Sequence, residues 1–434
     1  MRLPPLAAAL LAVALTPAAS AHGIHDIESL AAAVDARVLE WRRDIHQHPE
    51  LSNREFRTAA LVADHLRSLG LEPRTGIAHT GVVAILRGGR PGPRIALRAD
   101  MDALPVSERV DLPFASRVTT EFRGETVGVM HACGHDAHTA ILMGVAEALT
   151  AIRDELAGEV MFIFQPAEEG PPEGEDGGAP LMLEQGLFAD FRPEAIFGLH
   201  VWANLHAGQV GYRSGPFMAS SDQFRIVVKG RQTHGSRPWG GIDPIVAAAD
   251  LVTSAQTIVS RNIDITRQPV VLSFGAIKGG IRHNIIPDQV ELIGTIRAFD
   301  DGMREQVFRR LGEIAEHVGH AHGAQVEHAI PTRPGNPVTV NDPALTARAL
   351  PSLQRVLGAD KVRENPLITG AEDFSYFARE VPGFYWFVGA SPAGSDLATV
   401  PNNHSPEFFL DEEALKVGTR TLLAVTLDYL AGTR

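Results

Sequence analysis

Five short stretches of the chain gather side chains able to hold metals and move protons: 98–105 (RADMDALP), 131–140 (HACGHDAHTA), 165–170 (QPAEEG), 198–201 (GLHV) and 402–408 (NNHSPEF). Cys133 and His135 stand on either side of Gly134. A turn there aims both at one point, and thiolate and imidazole are good ligands for zinc and its neighbours. Glu168 and Glu169 follow an apolar run. If strand geometry persists through them, one points toward a metal and the other toward substrate on the opposite side. Two adjacent carboxylates in a crevice also call for a compensating cation or proton. His200 ends an otherwise apolar run, and His404 sits in a polar loop. Asp100 and Asp102 are either direct ligands or, the preferred reading, carboxylates that accept the second ring N–H of histidine ligands. Asp136 and His138 are further candidates for that supporting role. Each histidine alone reads as an ordinary core or surface residue; five islands of them together read as a metal centre.

The elements that must carry these residues alternate. Helical spacing of apolar positions marks 27–48 and 54–69, with Gly70 closing the second. VVAIL (82–86), RIALRA (94–99), EVMFIF (159–164) and AIFGLHV (195–201) are short apolar runs that predict buried strands. Such alternation predicts an α/β domain with a largely parallel sheet, and in such sheets sites gather at the carboxyl ends of strands. From about 219 to 331 the pattern becomes strand 223–229, helix 243–260, strands 270–277 and 289–298, helix 303–322 and strand 324–330. That βαββαβ order predicts a ferredoxin-like sandwich inserted into the larger domain. After it, helices near 343–356 and 373–380, a strand 384–389 and a helix 411–430 complete the first domain. The stretch 170–180 (GPPEGEDGGAP) reads as an exposed loop with solvated acids.

At 434 residues the chain is long enough for two or three domains. With 44% hydrophobic and 21% charged residues it is neither disordered nor collagen-like. Its net charge, 39 − 52 = −13, excludes a basic nucleic-acid footprint. One cysteine excludes an internal disulfide. Arg2, the apolar run 6–15 and Ala19-Ser20-Ala21 read as a signal peptide over 1–21, too short to span a bilayer. The expectation is export to a periplasm or the outside with no membrane anchor after cleavage. There, a lone cysteine needs a reason to exist, and a metal is one.

Taken in order, these islands resemble the dinuclear metallo-amidohydrolases of the aminoacylase and carboxypeptidase superfamily. The similarity is greatest to the N-acyl-amino-acid amidohydrolases, which include hippurate hydrolases and auxin-conjugate hydrolases. RRDIHQHPELS (42–52), NIIPD (284–288) and AEDFSYF (371–377) add to it. The resemblance implies a catalytic domain over 22–217 and 332–434, and a lid and dimerisation domain over 218–331. It implies two divalent ions, Zn, Mn, Co or Ni, held by Cys133, His135, Glu169, His200 and His404, with Cys133 touching both. Glu168 is then the general acid/base. His234 stabilises the oxyanion, Asn284 and Arg297 hold the substrate carboxylate, and Gly370 lines that site. The implied partners are a small acyl-amino acid or peptide and a second copy of the chain. The implied reaction is hydrolysis of N-acyl amino acids, with carboxypeptidase or dipeptidase action as the alternative. A cysteine-nucleophile amidase and a non-catalytic periplasmic solute-binding protein are the rival classes. Pro238-Trp239 replaces the Pro-His often found in relatives, which bears on acyl preference.

Overall fold

Strands with every side chain apolar must be covered on both faces, and the central sheet of this molecule is built that way. A computed structural model describes residues 26–432; the segment 1–21 read as a signal lies outside the described residues. The chain opens with α1 (Ile27–Gln47), α2 (Phe56–Ser68), β1 (Arg74–Ile77), β2 (Gly81–Arg87) and β3 (Arg90–Asp100). Next come a hairpin, β4 (Thr119–Phe122) and β5 (Glu125–Gly128), then α3 (His135–Ala151), β6 (Ala157–Gln165) and α4 (Gly178–Glu184). β7 (Ala195–His206), β8 (Val210–Tyr212) and β9 (Gly215–Met218) follow.

The second unit runs β10 (Asp222–Lys229), β11 (Thr233–His234), α5 (Pro244–Thr257), β12 (Val270–Gly279), β13 (Ile285–Ile286), β14 (Gln289–Ala298), α6 (Asp301–Ala321) and β15 (Gln325–Ala329). The chain then returns through β16 (Thr339–Asn341), α7 (Pro343–Leu357), β17 (Val362–Glu364), α8 (Phe374–Glu380), β18 (Gly383–Ser391) and α9 (Glu413–Leu430).

The main sheet has eight strands in the order β1-β2-β6-β3-β7-β18-β8-β17. Its centre, β6-β3-β7-β18, is parallel, and antiparallel pairs occur only toward its two sides. Period-2 alternation divides its side chains between two cores. Ile95, Leu97, Phe162, Phe164, Phe197, Phe384 and Trp386 pack beneath α1, α3 and α9. Ala96, Met161, Ile163, Ile196, Tyr385 and Phe387 face α4 and α8. Arg98, Gln165 and His200 fall in this second register, which brings these polar residues to one face.

Helix α3 is buried along almost its whole length between α1, α9 and the sheet. It starts at Gly134, whose φ of 88° lies in the left-handed region, and a Cβ there would meet Val201 at 2.2 Å. Only glycine fits, so Cys133 and His135 flank an enforced turn.

The inserted segment forms its own four-stranded antiparallel sheet, β12-β14-β10-β15. Helices α5 and α6 close a separate core around Phe224, Leu251, Leu292 and Val307. The expected βαββαβ order holds. Three local readings differ. β7 runs on to His206, so His200 lies within a strand rather than at its end. The sequence 170–180 is not wholly loop, because α4 begins at Gly178, and Glu175 is engaged with Arg54 at 2.6 Å. The hairpin β4–β5, polar and half exposed, has no apolar run to announce it.

Candidate metal centre

β6 ends at Gln165, and the chain turns at once: Ala167 has a φ of 53°. Glu168 and Glu169 are therefore in a turn, not an extended strand, and the expected strand-like division of their side chains does not apply. Both carboxylates lie near the same nitrogen. Glu168 Oε2 and Glu169 Oε1 are each 4.0 Å from His135 Nε2.

Cys133 Sγ is 3.3 Å from His200 Nε2 and 3.2 Å from His404 Nε2. His404 Nε2 is also 3.1 Å from Glu169 Oε1. Among the described residues five donor trios have all their atoms within 4.8 Å of one another, and two of them, Cys133–His135–His200 and Cys133–Glu169–His404, share the sulfur; a third joins His135 to Glu168 and Glu169. Two turns, one strand and one loop thus converge: the turn before α3, the turn after β6, β7, and the loop after β18.

Hydrogen bonds fix the direction of each ring. His200 Nδ1 donates to Val201 O at 2.6 Å, which leaves the lone pair on Nε2. His135 Nδ1 faces Asp102 Oδ1 at 3.3 Å, and its Nε2 is buried with no hydrogen-bond partner. A buried nitrogen aimed at a thiol and two carboxylates fits a cation, because such an atom is otherwise unsatisfied. His404 is held by its backbone N–H on Ala132 O and adopts a φ of 72°.

Asp102 accepts from Ser52 Oγ at 2.8 Å, from Glu168 N at 3.1 Å and from Glu169 N at 3.0 Å. It supports a histidine, as expected, and also the backbone of both glutamates. Asp100 differs from expectation. Its Oδ1 meets His138 Nδ1 at 2.5 Å, and its Oδ2 meets Arg98 at 2.7 Å. Its distance to His135 Nε2 is 3.9 Å. His138 in turn accepts from Val201 N at 2.8 Å, bracing β7 beside His200. Asp136 serves neither ligand; it pairs with His46 at 2.8 Å and Arg42 at 3.0 Å, pinning α3 to α1.

Several contributors were not singled out from the sequence. Arg98, wholly buried, binds Asp100, Glu372 at 2.9 Å and Asp373 at 2.9 Å. Gln165 and Ala179 N also bind Asp373, and Asp373 N approaches Glu168 Oε1 at 3.4 Å. Asn403 donates to Cys133 O and Val201 O and accepts from Ala203 N, tying the His404 loop to its partners. Glu55 accepts from Ala167 N at 2.9 Å and from Thr80, holding the turn. The His404 island pointed to Asn403. Nothing local pointed to Arg98 or Glu55.

The charges follow from this crowding. Burial opposes a charge on His135, but Asp100, Asp102 and Glu169 outweigh it and push its pKa up to about 10. Burial and the carboxylates of Glu372, Glu169 and Asp373 hold Glu168 well above the usual range. Burial, then Glu169 and Glu168, push the Cys133 thiol far up, the opposite of an activated thiol nucleophile. Burial and the neighbouring histidines keep His200 neutral.

The four residues expected to contact substrate stand apart from the cluster. His234 is exposed on β11, paired across the ladder with Ile285, and Gly235 N bonds to Asn284 O at 2.8 Å. Arg297 lies on β14 opposite Val271. Gly370 O accepts from Ala219 N at 3.0 Å. Among the described residues, none of these four makes a hydrogen bond or ion pair to the donor cluster.

Residues 96–428 match the family described as Peptidase family M20/M25/M40. The chain belongs to that family. It is 40% identical over 391 residues to thermostable carboxypeptidase 1 of Saccharolobus solfataricus, covering 89% of this chain and 94% of that one. It is 39% identical over 394 residues to N-acetylcysteine deacetylase of Bacillus subtilis, covering 89% and 95%. A solved Bacillus subtilis structure described as a dinuclear metal-binding peptidase of family M20 superposes with a TM-score of 0.76 at 35% identity, over 92% of this chain and 99% of that one. This M20 chain is a metal-dependent hydrolase of mixed α/β fold.

Proposed function

We propose that this M20 hydrolase cleaves the amide bond of N-acyl amino acids, with short peptides as the alternative substrate. The observation that carries the reading is the pair of donor trios sharing Cys133 Sγ, with Glu168 alongside. Cys133, His135, Glu169, His200 and His404 would hold two divalent cations, Zn, Mn, Co or Ni. Bound there, such ions polarise an amide carbonyl and acidify water. The remaining work falls to the protein. Glu168 takes a proton from the attacking water on its carboxylate and delivers it to the leaving amine. Asp102 keeps the Glu168 and Glu169 backbone fixed while this occurs. Arg297 and Asn284 take the free carboxylate of the amino-acid half. His234 donates to the developing oxyanion.

His234 is exposed and unconnected to the cluster in one chain, which favours its acting across a dimer. β12 is the edge strand of the second sheet and leaves Val271 and Ile277 at 37% and 58% exposure. Such an edge suits self-pairing about a two-fold axis. On this reading, 218–331 is a lid and dimerisation unit, and 22–217 with 332–434 the catalytic unit. Residues 1–21 would direct export to a periplasm or the medium.

The test is a hydrolysis screen of acyl-amino acids, hippurate included, and dipeptides. It would use metal-stripped protein, with each divalent ion added back in turn. Turnover restored by a divalent ion on acyl-amino acids is expected. Full activity after exhaustive chelation would overturn the reading.

A further inference from the structure

The stretch RRDIHQHPELS (42–52) ends at Ser52, which bonds Asp102 on one side of the metal centre. Its beginning holds the other side. Arg43 binds Glu412 through two nitrogens, at 2.8 and 2.7 Å, and Arg42 lies 3.4 Å from the same carboxylate. Glu412 stands at the start of α9, where the segment that follows His404 ends.

One turn further along α1, His46 lies between two carboxylates. Its Nδ1 is 2.8 Å from Asp136 Oδ2, and its Nε2 is 3.1 Å from Glu108 Oε1. All three side chains are shut off from solvent. A neutral imidazole has one N–H and can donate to only one of these oxygens; the imidazolium donates to both. The geometry is that of a protonated ring.

The two carboxylates belong to different parts of the metal centre. Asp136 follows His135 in the first turn of α3. Glu108 anchors the loop 104–118, because its other oxygen accepts from Ser116 N at 2.5 Å. The next residue, Arg109, donates its backbone N–H to Pro406 O at 2.9 Å, two residues beyond His404. Phe114 of the same loop meets the His46 ring edge-on at 5.7 Å, with the guanidinium groups of Arg42 and Arg43 over its face.

The charges balance only when His46 is protonated. Asp136, Glu108 and Glu412 face Arg42, Arg43 and His46. His131, with its ring centre 6.5 Å from that of His46, is buried with neither nitrogen bonded. Burial pushes its pKa down to about 3, so it adds no charge. Burial opposes the charge on His46 as well, but Asp136 and Glu108 outweigh it and raise its pKa above 6.5. The clamp is therefore complete below pH 6.5 and is lost as pH rises through the raised value. One buried carboxylate is then left without its donor.

We infer that His46 is a positioning residue of the metal centre. Its imidazolium ties the start of α3, and with it the turn that carries Cys133 and His135, to the loop that carries His404. It thereby sets how firmly the cation of the Cys133–Glu169–His404 trio is held. This rests on the metal-centre reading above and adds to it a residue bonded to Asp136 and Glu108 rather than to any of the five donors.

The experiment loads the protein with zinc and times its release to excess chelator from about pH 6.5 to about pH 10. It compares the wild type with His46→Gln, Glu108→Gln and the double variant. All four keep the same five donors, so the ratio of variant to wild-type rate cancels the titration of the donors themselves. At the acid end, the first ion to leave should leave His46→Gln about ten-fold faster or more, the range seen when a partner supporting a ligand is removed. The ratio should fall toward one as pH rises and the wild-type ring loses its proton. Glu108→Gln cuts the same link from its other side, so it should also speed release, and the double variant should be no faster than the quicker single one. A His46→Gln ratio near one at the acid end overturns the inference. So does a raised ratio that stays flat with pH, the mark of a merely structural loss, and so do additive effects in the double variant. A wild type that takes up no zinc overturns the metal-centre reading as well.

Discussion

The carboxylate of Asp102 accepts the backbone N–H of Glu169 at 3.0 Å through the oxygen that also receives Ser52. Its other oxygen takes Glu168 N–H and faces His135. One side chain thus orients a histidine and both glutamates. Asp102→Asn replaces one acceptor oxygen with an NH₂ that opposes at least one of these donors. Metal affinity should fall about 10–100-fold, the range seen when such supporting partners are removed. Stability should drop by about 1–3 kcal/mol. Isothermal titration of the stripped protein and chemical denaturation measure the two effects. An unchanged affinity would show that His135 needs no such support.

Glu168→Gln leaves every donor of the two trios in place. Bound metal per chain, by elemental analysis, should match the wild type. The turnover number should fall about 10²–10⁴-fold, the usual contribution of a positioned proton acceptor. Near-wild-type turnover would remove Glu168 from the chemistry.

Arg98 is the buried cation among Asp100, Glu372 and Asp373. Arg98→Met fills similar volume but strands those carboxylates, and removal of one partner from a buried ionic cluster costs about 3–5 kcal/mol. Urea denaturation should show a loss of that size. A loss under about 1 kcal/mol would mean that the carboxylates are protonated or solvated without the arginine.

Glu55 is fully buried, and burial followed by the charge of Asp102 raises its pKa from 4.5 to about 8. Unfolded, it gives up its proton near 4.5; folded, it keeps it to about 8. Its contribution to stability is therefore complete below pH 4.5 and lost as pH rises toward 8. Glu55→Gln has no such proton to lose. Wild-type stability minus that of the variant should decline between these limits by up to about 1.4 kcal/mol per pH unit. A flat difference across pH 5–8, by denaturation at each pH, would contradict it.

The residues that could be read from sequence are those whose neighbours in sequence set their role. Phe162, Phe164, Phe197 and Trp386 sit in runs that only a doubly covered strand accommodates. Cys133, Gly134 and His135 carry their geometry in three consecutive letters. Arg98 fails that test: its partner Asp373 is 275 residues away, so an arginine in an apolar strand gives no local sign of burial. Ala167 is another case. An alanine at a φ of 53° is imposed by Glu55 and Asp102 from other segments, and the strand-like reading of Glu168 and Glu169 failed there. Asp100 and Asp102 were both read as supports because histidine ligands commonly donate their second ring N–H to a carboxylate. The two instead serve different neighbours, since they end a strand and begin a loop.

The last strand to be made, β18, is slotted between β7 and β8, and His404 comes 271 residues after Cys133. A ribosome adding about 5–20 residues per second therefore needs roughly 15–50 s between the two. Throughout that interval the nascent chain carries Cys133 without His404, the imidazole of its second donor trio. The trio that contains His404 can close only once that residue has been made.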